Sequence, residues 1–131
     1  MKIKKPGLVS IVILLFVFFF YGNAFSQEKK QIVRMAKLVI DSVQLESYNA
    51  FLKEGIETAI RVEPGVLMMN AVYEKNNPTH VFVVEVYASD SAYKAHLQAP
   101  HFKKYKMGTK DMVKNLELID VVPISLESKL N

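Results

Sequence analysis

Cysteine and tryptophan are absent from this 131-residue chain, and histidine occurs three times. Without a thiol there is no thiolate nucleophile, no Cys-ligated metal and no iron–sulfur cluster. There is no disulfide either, so the fold must be held by burial alone. A large charge of one sign is also missing, once the amino terminus is set aside. Lys2, Lys4 and Lys5 precede an apolar run from Leu8 to Tyr21 that only Ser10 interrupts, and Ala24-Phe25-Ser26 offers small residues for cleavage before Gln27. This is the pattern of a secretory signal peptide. The run is shorter than the roughly 20 residues a spanning helix needs, and an uncleaved amino-terminal anchor is the alternative. We therefore expect residues 1–26 to be a leader cleaved after Ser26, residues 27–131 to form one domain, and that domain to be secreted or periplasmic. The leader lacks the cysteine that lipid attachment would require.

Taking the leader's three lysines from the 17 basic residues leaves 14 against 13 acidic ones. So small a balance gives no electrostatic footprint for nucleic acid. The basic run from Lys103 to Lys106 reads as a solvated helix face.

The remaining chain alternates two periodicities. Gln31 to Ile40 reads as a strand, with Ile32, Ala36, Leu38 and Ile40 on one face and Val33, Met35 and Val39 on the other. Asp41 or Ser42 then caps a helix in which Leu45, Tyr48, Phe51, Leu52, Ile56, Ala59 and Ile60 form one apolar stripe. Glu63-Pro64-Gly65 ends it. Val66 to Glu74 and Thr79 to Ala88 read as two strands joined by a turn at Lys75-Asn76-Asn77-Pro78, hence an antiparallel hairpin. Ser89 or Asp90 caps a short helix, Pro100 opens another running to about Lys114, and Leu116 to Ile124 is the last strand. The order β-α-β-β-α-β, with its second α split at Pro100, predicts an α+β fold of the ferredoxin-like type: one antiparallel sheet with helices on one face.

That fold leaves a face uncovered. Phe82, Val84 and Val86 oppose Val81 and Val83, and Leu67, Met69 and Ala71 oppose Val66, Met68 and Val72. A sheet with one wet face should alternate apolar and polar residues. These strands do not, so a second copy of the chain packing sheet to sheet is expected, giving a homodimer.

His96 and His101 lie five residues apart across the break at Pro100. They are the clustered groups able to titrate near neutral pH, and either imidazole could take a proton from a phenol or from a carbon beside a carbonyl. His96 could equally pack on Leu97 and bond a backbone carbonyl. His101, in the first turn of a helix, is disfavoured as a cation by the helix dipole, or it is simply a capping residue. Glu85 sits within an apolar strand, a costly place for a carboxylate unless it is paired or lies at a pocket. A structural ion pair is the reading we favour there. Asn70 could orient a substrate oxygen if buried. Tyr87, Tyr93, Phe102 and Tyr105 could line an aromatic pocket or serve as core. His80 follows a turn and reads as exposed. Two histidines without a carboxylate at fixed spacing do not define a metal site.

Glu63-Pro64-Gly65-Val66, Glu85-Val86-Tyr87, Ala92-Tyr93-Lys94-Ala95-His96-Leu97 and Pro100-His101-Phe102-Lys103 together resemble the antibiotic biosynthesis monooxygenase family, over about residues 31 to 124. The resemblance implies a ferredoxin-like domain that dimerises through its sheet into an α+β barrel, with a pocket between helices and sheet. It implies a monooxygenase that needs no metal or organic cofactor and acts on a small quinol or phenolic substrate with molecular oxygen. On this view His96 and His101 are catalytic, and Asn70, Glu85, Tyr87, Tyr93, Phe102 and Tyr105 bind substrate. Two alternatives stay open: an isomerase of a small carbonyl compound or signalling sugar derivative, and a non-catalytic dimeric binding module. The family's heme-degrading branch is disfavoured. Its pocket tryptophan has no counterpart in this chain, and the position where that branch carries an asparagine falls near Lys37.

Overall fold

The computed structural model describes residues 30–129. The expected leader over residues 1–26 and its cleavage point lie outside them. β1 (Ile32–Ile40) is followed by a single 3₁₀ turn (Ser42–Gln44) and α1 (Leu45–Val62). The hairpin β2 (Val66–Glu74) and β3 (Asn77–Tyr87) comes next, then α2 (Asp90–Gln98), α3 (Pro100–Thr109) and β4 (Val113–Val121). Side chains that compete with the backbone mark the joints. Asp41 accepts a hydrogen bond from the Val43 amide at the 3₁₀ turn, and Ser89 Oγ accepts one from the Ala92 amide at α2. Pro100, lacking an N–H, opens α3 at a position where no helical donor is needed.

The sheet order is β2-β3-β1-β4, with every neighbouring pair antiparallel. This is the expected ferredoxin-like α+β arrangement. Several boundaries differ from expectation, among them the end of the last strand, at Val121 rather than Ile124. The hairpin turn is tighter, because Glu74 already pairs with Asn77. Pro78 is tolerated inside β3 because pairing with β1 reaches only as far as His80. At the other end α3 stops at Thr109 rather than near Lys114. Thr109 Oγ1 donates back to the Tyr105 carbonyl, and the Met112 amide closes a turn onto the Thr109 carbonyl. β4 then starts at Val113, captured by pairing with Ile40.

Pairing puts alternate residues of the strands on the helix-covered face. Ala36, Leu38, Ile40, Val81 and Val83 are buried there with Tyr48 of α1. A second cluster joins Ala59, Val66, Met69 and Tyr87, and Ile56 packs against both. Each buried valine, leucine, isoleucine or methionine among them contributes roughly 1.5–3 kcal/mol by leaving water. Gly65 fixes how the two halves meet. A Cβ on it would lie 2.5 Å from the Ala92 Cβ, so α2 docks directly on the corner that ends α1. The edge strand β4 is less covered: Leu116 and Leu118 are 41% and 55% exposed. On the opposite sheet face Val33 and Val86 are buried, whereas Val72 is 62% exposed.

Candidate active site

Between the helices and the sheet lies a cavity of about 450 Å³, walled by Ala36, Leu38, Leu52, Ile56, Met69 and Val83 and edged by Leu116 and Leu118 of β4. Its polar groups include Arg34 of β1, Glu85 and Tyr87 of β3, Tyr93 and His96 of α2, and His101 and Tyr105 of α3, with Phe102 beside them. Most of the residues expected to form a site are therefore brought together. Asn70 is not among them. It is exposed and pairs with Val84, on the face turned away from the helices. Lys37 also falls on that far face, paired with Phe82. His80 is only partly exposed and lies 3.7 Å from the Glu74 carboxylate.

The histidines are organised by Glu63, which the sequence marks as a helix end and as part of the family resemblance but not as a site residue. Glu63 caps the carboxyl terminus of α1, and the docking of α2 at Gly65 brings the two histidines to it. Its Oε2 lies 2.7 Å from His96 Nδ1 and 2.6 Å from His101 Nε2. A carboxylate accepts but does not donate, so each of these ring nitrogens carries its proton toward Glu63. Both contacts are short, as charge-assisted hydrogen bonds are. The proton-free nitrogens of the neutral rings are then His96 Nε2 and His101 Nδ1. His96 is 4% exposed, and its ring is held by Tyr87, Phe102 and His101 at centroid distances of 5.5, 4.9 and 6.0 Å.

Among the described residues Glu85 makes no ion pair. Its Oε2 accepts the Tyr87 hydroxyl at 3.0 Å. Burial pushes its carboxyl above the usual carboxylate range, against the lowering effects of that hydrogen bond, His96 and Arg34. The Tyr87 hydroxyl is pushed above its ordinary range by burial and by Glu85. Deeper in the core the Tyr48 and Tyr105 hydroxyls bond each other at 2.9 Å, and burial raises both. Among the described residues, Glu63, His96 and His101 form the one group able to grip a metal ion, with three ligand atoms within 4.8 Å of one another. The missing carboxylate that counted against a metal at sequence level is thus present in space, though far off in sequence. A bound ion would displace the two protons that now face Glu63.

The family profile described as antibiotic biosynthesis monooxygenase matches residues 31–107, which contain all of these groups. The chain belongs to the antibiotic biosynthesis monooxygenase family. A crystal structure of a protein from Bacteroides thetaiotaomicron, assigned to antibiotic biosynthesis monooxygenases, is 52% identical, with 78% of this chain and 97% of that one covered at a TM-score of 0.74. A monooxygenase-assigned structure from Lactobacillus acidophilus is 30% identical over 73% of this chain and 45% of that one, at a TM-score of 0.70. The chain thus spans less than half of the Lactobacillus protein. A third structure, from Fusobacterium nucleatum, is 22% identical over 80% of this chain at a TM-score of 0.71, and supports the fold alone. No curated protein matches. Family membership and these neighbours support a monooxygenase-type function on a small molecule.

Two site residues escaped the sequence reading. Glu63 is 33 positions from His96, and no local spacing couples them. Arg34 did leave a signal: it is the lone cation on the same strand face as Ile32, Ala36 and Leu38, where water would be excluded.

Proposed function

We propose that this protein is a monooxygenase acting on a small quinol or phenol without a resident cofactor, with His96 and His101 as proton acceptors and Glu63 holding them in the reactive tautomer. The observation that carries this reading is the single Glu63 oxygen shared by two imidazoles at 2.6 and 2.7 Å. A buried carboxylate behind a histidine fixes the tautomer and stabilises the imidazolium that forms when the ring accepts a proton. The aromatic and aliphatic wall supports a ring as ligand. Removal of a phenolic proton leaves an electron-rich quinolate. It passes one electron to oxygen, the resulting superoxide joins the ring radical at carbon, and loss of water from the ring hydroperoxide leaves a hydroxylated quinone. One quinol and one O₂ give one hydroxyquinone and one water, with the ring supplying all the electrons.

An oxygen electrode with a panel of quinols tests this. Uptake above autoxidation, at one O₂ per quinol, and labelled oxygen in the product are expected. A panel that binds without uptake would sink the oxygenase and favour a binding module. The same proposal includes a sheet-to-sheet homodimer, supported by the exposed Val72 beside Phe82 on the free sheet face. Sedimentation showing only monomer would remove it. It also places the enzyme outside the cytoplasm, on the strength of the leader pattern. Recovery of protein beginning at Gln27 from an exported fraction is the expected result, and an intact amino terminus in the cytoplasm would contradict it.

A further inference from the structure

Among the described residues lining the cavity, Arg34 is the one cation that is not exposed; Lys106, Lys110 and Lys114 are. The proton chemistry of the histidines makes no use of it. Strand register sets its place, opposite Glu85 on one side and Asp120 on the other. Its Nη1 donates to the Tyr93 hydroxyl, and the guanidinium carbon lies 4.6 Å from the Tyr93 ring centre. Its Nε is different. That nitrogen is sealed from solvent and has no hydrogen-bond acceptor. Asp120 Oδ1 is 3.2 Å away, too badly aligned to serve, on a side chain that is 85% exposed and competed for by water. Glu85 gives its Oε2 to Tyr87 instead.

A guanidinium presents donors in a fixed planar fork that matches a carboxylate. Here the fork is only partly used, on the wall of a ring-sized cavity: Nε is sealed beside Asp120 and Nη1 serves Tyr93, while no hydrogen bond among the described residues engages Nη2. We propose that Arg34 is the recognition point for a carboxylate on the substrate, so that the pocket selects a ring-bearing monoanion, such as a hydroxylated aromatic acid, over a neutral quinol. The subsite rests on the ring-binding role proposed above and narrows its substrate class. A monoanion fits better than a phosphate dianion because a single part-buried cation stands there between two carboxyl groups.

Calorimetric titration of the purified protein with 4-hydroxybenzoate and with its neutral isostere 4-hydroxybenzamide tests the subsite. The acid is expected to bind at least about tenfold more tightly, as a charge-assisted hydrogen bond allows. Arg34→Gln should erase that preference, read as the ratio of acid to amide affinity in the same variant. Arg34→Lys, which keeps the charge but not the fork, should retain part of it and serves if the glutamine variant fails to fold. Phenyl phosphate should bind no better than the acid. Equal affinity for acid and amide, a preference that survives Arg34→Gln, or tighter binding of the phosphate would overturn the proposal. Because the readout is binding, it separates from the oxygenase reading. Acid preference without oxygen uptake keeps the subsite and removes the oxygenase, and uptake with neutral quinols but no acid preference does the reverse.

Discussion

Glu63→Gln is the substitution that separates charge from packing. Glutamine has nearly the volume of glutamate, so Pro64, Gly65 and the docking of α2 are undisturbed. What changes is the chemistry facing the imidazoles. Glutamate Oε2 accepts from both His96 Nδ1 and His101 Nε2. A glutamine carbonyl oxygen in the place of Oε2 still accepts from both rings, so the two tautomers are kept and what is lost is the negative charge behind them. Two opposing terms govern stability. Loss of charge-assisted character costs about 1 kcal/mol per hydrogen bond. Removing a carboxylate that is 15% exposed relieves a desolvation penalty of comparable size. The net change in unfolding free energy should therefore stay within about 1–2 kcal/mol. Turnover has no such compensation, because a neutral amide no longer stabilises the imidazolium that forms when a ring takes the proton. A hydrogen bond to a charged group is worth about 1.5–3 kcal/mol, so kcat should fall about 10- to 100-fold. Nitrogen-15 spectra of the histidine rings give the independent readout: the protons stay on the nitrogens facing position 63 in wild type and variant alike, so the loss reports the charge and not a changed tautomer. A variant that turns over within about threefold of wild type would refute the role of the Glu63 charge.

Other expectations follow from single contacts. Glu85 has its carboxyl raised by burial, so it stays neutral in the fold at a pH where the unfolded chain has ionised, and its contribution to stability is lost as pH rises through the raised value. Glu85→Gln, which cannot ionise, should gain stability relative to wild type as pH rises from about 4, read from denaturant midpoints; a difference that is flat with pH would contradict this. Tyr48→Phe leaves the Tyr105 hydroxyl without its partner at 2.9 Å and should cost about 1–3 kcal/mol in a urea melt, with no loss attributable to packing. Gly65→Ala forces a methyl to within 2.5 Å of Ala92 and should cost about 1–3 kcal/mol. Because it pushes α2 away from Glu63, activity should fall further than stability, whereas Gly108→Ala, which meets the Phe51 ring, should affect stability alone.

The fold was legible because its signals are local. The apolar stripe of α1, the alternation in β1, the caps at Asp41 and Ser89 and the break at Pro100 each belong to a window of a few residues. The boundaries that moved did so for tertiary reasons. Val113 joined the sheet because Ile40 was there to pair with it, and Thr109 ended a helix that propensity alone would have let run. The site divides in the same way. His96 and His101 announce themselves by type and spacing, but Glu63 matters only because Gly65 lets α2 come down on the end of α1. Asn70 looked usable until strand register put it on the far face, since a one-residue step along a strand reverses the side chain. Glu85 was visible as an anomaly, yet whether it would pair with a cation or a hydroxyl depended on Tyr87 sharing its face.

The most direct test of the proposed chemistry is a comparison of turnover and binding in the wild type, His96→Ala, His101→Ala and the double variant, using whichever phenol supports oxygen uptake. If the imidazoles on Glu63 accept the substrate's proton, the double variant should lose at least about 100-fold in kcat while its substrate dissociation constant changes much less. Full turnover in the double variant, or a loss confined to binding, would contradict it.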